Sequence, residues 1–367
     1  MSLPEPKLIR ILYISRAHGL NSGGMERLSF RVLEGYRKAD SVSVVALVPP
    51  VRQAHSLFWN RAQSVAFALR VFPAAFWMAR SCDVVHLGDP VLAKIGWLIK
   101  VFWHKPVAVT MHGLDVTYPN RLYQMYLRFF FTKFDQYFPI SQAAAGLLAK
   151  FKVSGQVTVI TPGVDDWFDP AIYTRAELAA MLKINTDKKI VLLTIGRLVA
   201  RKGQAWFIQN VLPSLDHRFI YVVAGDGPEY APLAAWLNVR PDISSRVHLL
   251  GRVSEDNLKL LYHTADAFIQ PNVPLPGELE GFGIVLLEAA MCELPVFASD
   301  LEGIRDAVTP TKNGALITPA DPAAWVKALH QFYISPRRST EARDFTKKNY
   351  SWNLVTPKYV LALRRLA

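Results

Sequence analysis

The chain has few cysteines and no long hydrophobic run. Its 367 residues include only two cysteines, Cys82 and Cys292, which lie far apart and lack metal-ligand spacing. We therefore expect free thiols in a reducing compartment. No uninterrupted apolar run approaches the roughly 18 residues that suggest a membrane span. The first apolar run, residues 8–14, contains Arg10 and is typical of an opening strand, not of a signal peptide. Together these absences favour a cytoplasmic protein.

Acidic residues are scarce in the first half of the chain. Residues 1–166 contain 19 lysines and arginines against 10 acidic residues, whereas residues 167–367 contain 23 against 20, within a formal net charge of +12. A basic first half favours an anionic partner, such as a membrane surface, a nucleic acid or an acidic substrate. A basic protein without such a partner remains the alternative.

Short apolar runs alternate with longer helical stretches in both halves, which predicts parallel sheets covered by helices. Turn-forming residues at 161–170 are typical of a connection between two domains. We expect two Rossmann-like, doubly wound α/β domains, with ligands beyond the carboxyl ends of the strands. The predicted strands are residues 11–15, 42–48, 84–87, 107–111, 136–140 and 157–160 in the first domain, and 189–196, 219–225, 247–251, 267–271, 295–299 and 315–319 in the second.

Glycines and basic residues follow several of these strands. Gly23 and Gly24 follow the first strand and precede a helix, an arrangement that lets backbone N–H groups approach an anion; a flexible loop is an equally good explanation. His112 follows the fourth strand, where a structural role is more common than a catalytic one. Arg197 and Lys202 follow the first strand of the second domain and can converge on a pyrophosphate, although a solvated basic loop fits as well.

The stretch GELEGFGIVLLEAA, residues 277–290, places a carboxylate inside an apolar helix. Residues 281–283 precede that helix, so its free N–H groups and dipole favour a phosphate there. Glu288 lies one to two turns further on and would be well satisfied by the two hydroxyls of a ribose. Glu280, before the helix, can accept hydrogen bonds from a second polyol. Sugar, diphosphate and ribose in line describe a sugar nucleotide; pairing of Glu288 with a buried arginine or lysine is the alternative.

These motifs resemble those of the retaining glycosyltransferases of family four, which have the GT-B fold of two Rossmann-like domains. The resemblance covers nearly the whole chain, and its most specific part is the pair of glutamates separated by seven residues. The motifs that carry it are Gly23-Gly24, HGLD at 112–115, PGVD at 162–165, GRLVARKG at 196–203, GDGP at 225–228, GRV at 251–253, EGFGIVLLE at 280–288 and YSW at 350–352.

The resemblance implies a role for each matching residue. Arg197 and Lys202 would neutralise the donor diphosphate, Glu280 would hold hydroxyls of the transferred sugar, and Glu288 would hold the ribose. His112 would lie near the sugar and the reacting centre. The remaining implied donor contacts are the backbone of Gly281, Phe282, Gly283 and Ile284 to sugar and phosphate, the backbone around Val253 to the base, and Gly23 and Gly24 over the phosphates.

The resemblance also implies a reaction and a domain organisation. A hexose would pass with retention of configuration from a nucleotide-diphosphate sugar to a saccharide or lipid-linked acceptor in polysaccharide or glycolipid synthesis. No cofactor or metal is expected, and the sequence contains no Asp-x-Asp pair. UDP-glucose is the first donor predicted and GDP-mannose the second. The predicted domains are residues 1–163, an acceptor-side domain; 164–345, a sugar-nucleotide domain; and 346–367, a helix that crosses back to the first domain.

Two segments depart from the family pattern. Residues 301–306, LEGIRD, replace the usual glycine pair and glutamate, and residues 270–281 contain a proline-rich insert before Glu280. The resemblance therefore does not specify the contacts of residues 301–306, and an insert that shapes the sugar pocket makes the donor sugar harder to predict.

Aromatic and basic residues are mixed in the first domain, in a pattern that suits docking on an anionic membrane or binding of a lipid-linked acceptor. Core aromatics beside solvated arginines are an equal alternative. The residues are Phe58, Trp59, Phe67, Phe72, Phe76, Trp77, Trp97, Phe102 and Trp103, with Arg52, Arg61, Arg70, Arg80, Lys94, Lys100 and Lys105.

Two other functional classes are compatible with such a fold. One is a sugar-nucleotide epimerase or a phosphorylase. The other is a non-catalytic basic protein that binds a membrane or nucleic acid, although such a protein has no need of Arg197, Lys202, Glu280 and Glu288 together. We therefore expect a transferase, with no nucleic acid partner.

Overall fold

The chain folds into two compact units. The structure is a computed structural model that describes residues 8–19, 23–49, 60–165, 173–334 and 338–367, apart from the side chains at 60–65 and 334. The first unit comprises Met1–Gly163 and Trp352–Ala367, and the second comprises Val164–Ser351. Arg52, Phe58 and Trp59, the side chain of Arg61, and the 166–170 part of the predicted connection lie outside the described residues. No helix among the described residues is long and apolar enough to cross a bilayer.

The first unit contains a six-stranded parallel sheet in the order β2-β1-β3-β4-β5-β6. Its central strands β3 and β4 are buried on both faces and are rich in valine, as expected for a parallel sheet covered by helices. Each strand overlaps the run that predicted it. The strands are β1 (Ile9–Ile14), β2 (Val42–Leu47), β3 (Val84–Leu87), β4 (Val107–Met111), β5 (Gln136–Pro139) and β6 (Gln156–Val157).

The helices of the first unit cover this sheet. The C-terminal helix α16 packs on α1, whereas α2, α3 and α5 contribute to a shared core cluster on the sheet. These helices are α1 (Gly24–Lys38), α2 (Asn60–Met78), α3 (Ala93–Trp103), α4 (Leu114–Thr117), α5 (Arg121–Phe130), α6 (Gln142–Gly146) and α16 (Trp352–Arg364).

The start of the C-terminal segment differs from the predicted boundary at residue 346. That residue lies inside helix α15 (Thr340–Tyr350), which belongs to the second unit, and the chain enters the first unit only at Trp352. The reason is a break at Ser351, whose extended backbone ends α15 and pairs with Val164.

A buried histidine joins α16 to the sheet of the first unit. His86 on β3 is fully buried; its Nδ1 lies 2.8 Å from the Tyr36 hydroxyl and its Nε2 lies 2.9 Å from the Thr110 hydroxyl. The ring of Tyr359 on α16 lies 5.7 Å from the imidazole ring. A neutral imidazole satisfies both hydrogen bonds with one donor and one acceptor nitrogen. Burial lowers the pKa of His86 to about 3.

We predict that His86 makes the first unit sensitive to acid. Because its pKa is lower in the folded state, its contribution to stability is complete above about pH 6.5 and is lost as the pH falls towards 3. In His86→Gln, the amide can bond Tyr36 and Thr110 without titrating. The stability difference between wild type and variant should shrink by about 1.4 kcal/mol per pH unit below pH 6.5. Denaturant unfolding at several pH values measures it; a constant difference would contradict the prediction.

The second unit also contains a six-stranded parallel sheet, in the order β12-β11-β10-β7-β8-β9. The chain leaves β7 towards β8 on one side and returns to β10 on the other, so the carboxyl ends of β7 and β10 form the switch point at which such sheets bind ligands. Each strand again overlaps its predicted run. The strands are β7 (Ile190–Ile195), β8 (Phe219–Ala224), β9 (Val247–Gly251), β10 (Ala267–Gln270), β11 (Val296–Ser299) and β12 (Ala315–Ile317).

The two sheets confirm the predicted α/β class of two doubly wound domains. The helices of the second unit are α7 (Arg175–Leu182), α8 (Gln204–Asn210), α9 (Tyr230–Asn238), α10 (Pro241–Ser244), α11 (Glu255–Thr264), α12 (Ile284–Met291), α13 (Ile304–Ala307), α14 (Pro322–Ile334) and α15.

Candidate active site

The loop after β7 lies against the end of β10 in the second unit. Gly203 has a φ of +70°, and a Cβ there would lie 1.8 Å from the Pro271 carbonyl oxygen, so only glycine permits this approach. Lys202, just before it, ends a 3₁₀ turn that begins at Ala200. Arg197 lies two residues after β7 and is exposed. The loop therefore brings the Lys202 ammonium to β10 and leaves the Arg197 guanidinium at the surface.

Glu280 is the centre of an ion cluster at this switch point. Its Oε2 lies 2.7 Å from Lys202 Nζ and 2.5 Å from a guanidinium nitrogen of Arg201, and it accepts a 2.9 Å hydrogen bond from the Asn272 amide. The Glu280 side chain is only 9% exposed and that of Lys202 only 12%. Lys202 and Glu280 were both predicted site residues, and the structure brings them together. Arg201 and Asn272 were not predicted, although both lie in the two loops that were.

The neighbouring charges and burial shift the pKa values of both Glu280 and Lys202. Burial alone would raise the pKa of Glu280, but Lys202 and Arg201 outweigh it and hold that pKa at about 2. Burial lowers the pKa of Lys202, and Arg201 adds to the effect against the attraction of Glu280. Arg201 also pairs with the half-exposed Glu278 at 3.5 Å, so the two cations of the cluster meet two carboxylates.

A second carboxylate fixes the backbone of Glu280. The Glu280 N–H donates a 2.5 Å hydrogen bond to the carboxylate of Glu302, and the Gly303 N–H donates to the Glu280 carbonyl at 3.2 Å. Glu302 has a φ of +46°, in the region that favours glycine. Burial raises the pKa of Glu302, and the charge of Glu280 adds to the effect against the hydrogen bond. The departure at residues 301–306 thus adds a contact to the site.

Helix α12 begins beside this cluster. Gly283 is its N-cap, with a φ of +88° and no side-chain cap, so the first N–H groups of the helix depend on a ligand or solvent. Ile284 is the first helical residue, and Phe282 before it is 3% exposed. Gly281 lies so close to Gly303 that a Cβ on Gly303 would be 2.2 Å from the Gly281 carbonyl oxygen. The predicted residues 281–284 therefore form a tightly packed turn into the helix.

Glu288 lies inside α12 and is 2% exposed. Its Oε2 accepts a 2.7 Å hydrogen bond from the hydroxyl of Tyr262, which lies on α11. The sequence predicted a buried carboxylate at this position but not its hydrogen-bond donor. Tyr262 lies 26 residues away, and in the sequence it looks like any other buried residue of its helix. Val253, the predicted base contact, is half-buried between β9 and α11, at the same edge of the sheet.

The other predicted site residues belong to the first unit. His112 directly follows β4, and its Nε2 lies 3.1 Å from the carbonyl oxygen of Gly88, which follows β3. The backbone N–H of His112 donates to buried Asp115 at 2.8 Å. Gly23 is the N-cap of α1 and Gly24 its first residue; a Cβ on Gly24 would meet nothing within 4 Å. Both glycines are exposed.

A buried ion pair lies near His112 and was not predicted. Asp89, fully buried after β3, accepts a 3.0 Å hydrogen bond from the Arg16 guanidinium and another from the Val91 N–H. Arg16 follows β1 and Asp89 follows β3, and these strands are neighbours. Adjacent strands bring the pair together across 73 residues, so local sequence patterns gave no signal for it. Among the described residues no group of histidine, cysteine, aspartate or glutamate side chains could hold a metal ion.

Both units of the chain match known protein families. The family model described as Glycosyltransferase Family 4 matches residues 22–168, and the model described as Glycosyl transferases group 1 matches residues 189–334. A D-inositol 3-phosphate glycosyltransferase from Salinispora tropica is 27% identical over 354 residues, covering 86% of this chain and 72% of the relative. A GDP-mannose-dependent alpha-(1-6)-phosphatidylinositol monomannoside mannosyltransferase from Mycobacterium tuberculosis is 27% identical over 237 residues, covering 62% of this chain and 60% of the relative.

Two solved structures have the same fold at low identity. Anabaena HepE in complex with UDP and glucose superposes with a TM-score of 0.76 at 18% identity, covering 97% of this chain and all of that one. Sucrose-phosphate synthase from Thermosynechococcus elongatus superposes with a TM-score of 0.78 at 18% identity, covering 98% and 99%. The predicted resemblance is confirmed, and the chain belongs to the GT-B glycosyltransferases of the family-four type.

Proposed function

We propose that this glycosyltransferase moves a hexose from a nucleoside-diphosphate sugar to a saccharide or lipid-linked acceptor, with retention of configuration and without a metal. The observation that carries the proposal is the cluster of Glu280, Lys202 and Arg201 beside the uncapped start of α12. Two cations next to free N–H groups are suited to an anion, and the switch point of the sheet is where a nucleotide binds.

The diphosphate would lie between the start of α12 and the basic loop after β7. Lys202 would supply a fixed point charge, because Gly203 holds its loop against β10. Arg197, exposed after β7, can move to the phosphates as a bidentate donor. The backbone N–H groups from Gly281 to Ile284 would complete the contacts. Negative charge develops on the diphosphate as it leaves, so these donors would stabilise the transition state more than the bound donor.

The transferred sugar would lie against Glu280. Its carboxylate is ionised and already oriented by Asn272, so it can accept hydrogen bonds from sugar hydroxyls. Glu302 holds the Glu280 backbone from the other side. We assign Glu302 a positioning role, since it acts on the sugar through Glu280.

Glu288 would bind the ribose. Its burial and the Tyr262 hydroxyl hold one orientation of the carboxylate, and a vicinal diol is a suitable donor pair for it. The backbone around Val253 would contact the base. UDP-glucose is our first donor and GDP-mannose our second, since relatives described above are named for UDP with glucose and for GDP-mannose.

The transfer step would need no protein base. The bond from the sugar C1 to the diphosphate oxygen breaks, a bond from C1 to the acceptor oxygen forms on the same face, and the acceptor proton passes to the leaving diphosphate. For the first unit, His112, Gly23 and Gly24 stay the predicted donor contacts. Catalysis would then consist of positioning and charge stabilisation.

Binding of nucleotides tests the donor site directly. We expect calorimetric titration to show binding of one among UDP, GDP and ADP, and loss of about tenfold or more in affinity for its 2′-deoxy form. In Glu288→Ala, both forms should bind equally weakly, because the ribose acceptor is gone. Tyr262→Phe is the control: it removes the hydrogen bond to Glu288 but keeps the carboxylate, so the preference for ribose should persist. Binding of none of the three nucleotides would refute the donor site.

The products test the reaction. We expect the anomeric configuration of the donor in the product, measured by nuclear magnetic resonance, and a rate that a chelator does not change. Lys202→Met should lower the rate by about a hundredfold, since it removes a cation from the leaving group, whereas exposed Lys312→Met should not. An inverted product, or loss of wild-type activity in the presence of the chelator, would overturn this mechanism. Donor consumption without any acceptor would favour an epimerase.

The positioning role of Glu302 has its own test. Glu302→Gly suits the positive φ but leaves the Glu280 N–H without its acceptor, and a hydrogen bond of this kind is worth about 1.5 kcal/mol. We therefore expect about tenfold slower transfer, with nucleotide affinity unchanged because the ribose and phosphate contacts remain. Thr311→Gly is the matched control, since it relieves a φ of +67° at an exposed position. Full activity of Glu302→Gly would remove Glu302 from the site.

A further inference from the structure

The outer layer of the first unit is unusually apolar for an exposed surface. Of the sixteen large apolar side chains exposed among the described residues, eight lie on helices α2, α3 and α5, which have nineteen, eleven and ten residues. We name this surface the α2–α3–α5 face. Its exposed members are Leu69, Trp77 and Met78 on α2, Val101 and Phe102 on α3, and Leu122, Met125 and Phe129 on α5.

These side chains are not part of the core. The same helices direct other residues at the sheet: Ala75 from α2, Ile99 from α3 and Leu127 from α5 are buried in the shared cluster. On α5 the exposed residues recur at positions 122, 125 and 129, which is the spacing of one helical face, and Met125 is 63% exposed. The predicted alternative, that the aromatics are core, holds for Phe76 and Trp103, which pack on the cluster, but not for Trp77 and Phe102.

Aromatic contacts make the face continuous. Helix α2 packs on α3, and α3 packs on α5. The ring of Trp77 lies 6.1 Å from that of Trp103 on α3, and Phe76 lies 5.6 Å from Phe102. Trp97, further along α3, lies 5.8 Å from Phe129 on α5. One apolar surface therefore extends over three neighbouring helices.

The charge of the face has a single sign. Helices α2, α3 and α5 contain no aspartate or glutamate, and their exposed cations are Arg70, Lys94, Arg121 and Arg128, with Arg80 just after α2. The Arg80 guanidinium lies 5.0 Å from the Trp103 ring and 5.6 Å from the Trp77 ring.

The acidic residues nearest in sequence to these three helices are either paired with other cations or buried. Asp83 pairs with Arg10 at 2.6 Å, and Lys100 pairs with Asp135 at 2.5 Å. Asp89 and Asp115 are buried. No carboxylate among them is available to neutralise the cations of the face.

We propose that the α2–α3–α5 face docks the protein on an anionic phospholipid surface. Tryptophan and phenylalanine beside arginine and lysine suit the interface of a bilayer, where rings enter the headgroup region and cations meet lipid phosphates. A second copy of the chain is a poor occupant, because it would oppose the same cations to each other without an acidic partner. The docking does not depend on the proposed donor. It would bring the enzyme to the lipid-linked class of acceptor.

The test is flotation of the full chain with phosphatidylcholine vesicles, with and without phosphatidylglycerol, at low and high salt. Wild type should float with the anionic vesicles at low salt and not with neutral ones. Arg121→Gln with Arg128→Gln should lower partitioning about thirtyfold, at about 1 kcal/mol per cation near the surface. Leu122→Ser, Met125→Ser and Phe129→Ser together should lower it at least about tenfold.

The matched control is Val239→Ser with Leu361→Ser, which removes exposed apolar side chains outside the face and should leave flotation unchanged. Each variant is checked for an unchanged melting temperature and for unchanged nucleotide binding without vesicles, which separates loss of docking from loss of the donor site. No flotation of folded wild type, equal flotation with neutral vesicles, or an equal loss in the control would overturn the proposal. So would a wild-type dimer in sedimentation that the α5 variant converts to monomers, since a second copy would then cover the face.

Discussion

The buried attraction between Glu280 and the cations Lys202 and Arg201 is the interaction on which the candidate site depends. A carboxylate this poorly exposed is stable only with its charge satisfied, and Lys202 and Arg201 satisfy it from the loop of a different strand. The ion pairs therefore connect the loop after β7 to the loop after β10. They also hold two cations beside the uncapped start of α12. The same contacts that hold the two loops together thus prepare the site for an anion.

The parallel sheets explain why these residues meet. All strands of a parallel sheet end at the same edge, and the switch point between β7 and β10 opens a space there. The first unit repeats the arrangement: Arg16 follows β1 and Asp89 follows the neighbouring β3, and they form a buried ion pair. In both units, a charged pair thus connects loops that are distant in sequence. Tight glycine approaches, such as Gly203 against Pro271, are the second condition, because they remove the space that a side chain would need.

The fold was predictable from sequence, because a strand buried on both faces is a local apolar run that can be recognised without its partners. Lys202, Glu280 and Glu288 were predictable because each lies in a short, distinctive motif, which is also a local pattern. Tyr262, Asn272 and Glu302 were not predicted, because the role of each becomes visible only from the carboxylate or backbone group that it contacts in the structure. Glu302 is instructive. It lies in the segment that departs from the family pattern, and its carboxylate accepts a hydrogen bond that no local pattern specifies.

The formal net charge of +12 is used in two physically different ways. In the second unit, Lys202 and Arg201 are largely buried and paired, so their charge acts at short range, on a ligand of defined shape. On the α2–α3–α5 face, Arg121 and Arg128 are exposed with no acidic residue on their helix, so their charge acts through water and is screened by salt. A single excess of basic residues therefore cannot be assigned to a single partner. Burial decides which cations select a small anion and which attract an extended anionic surface.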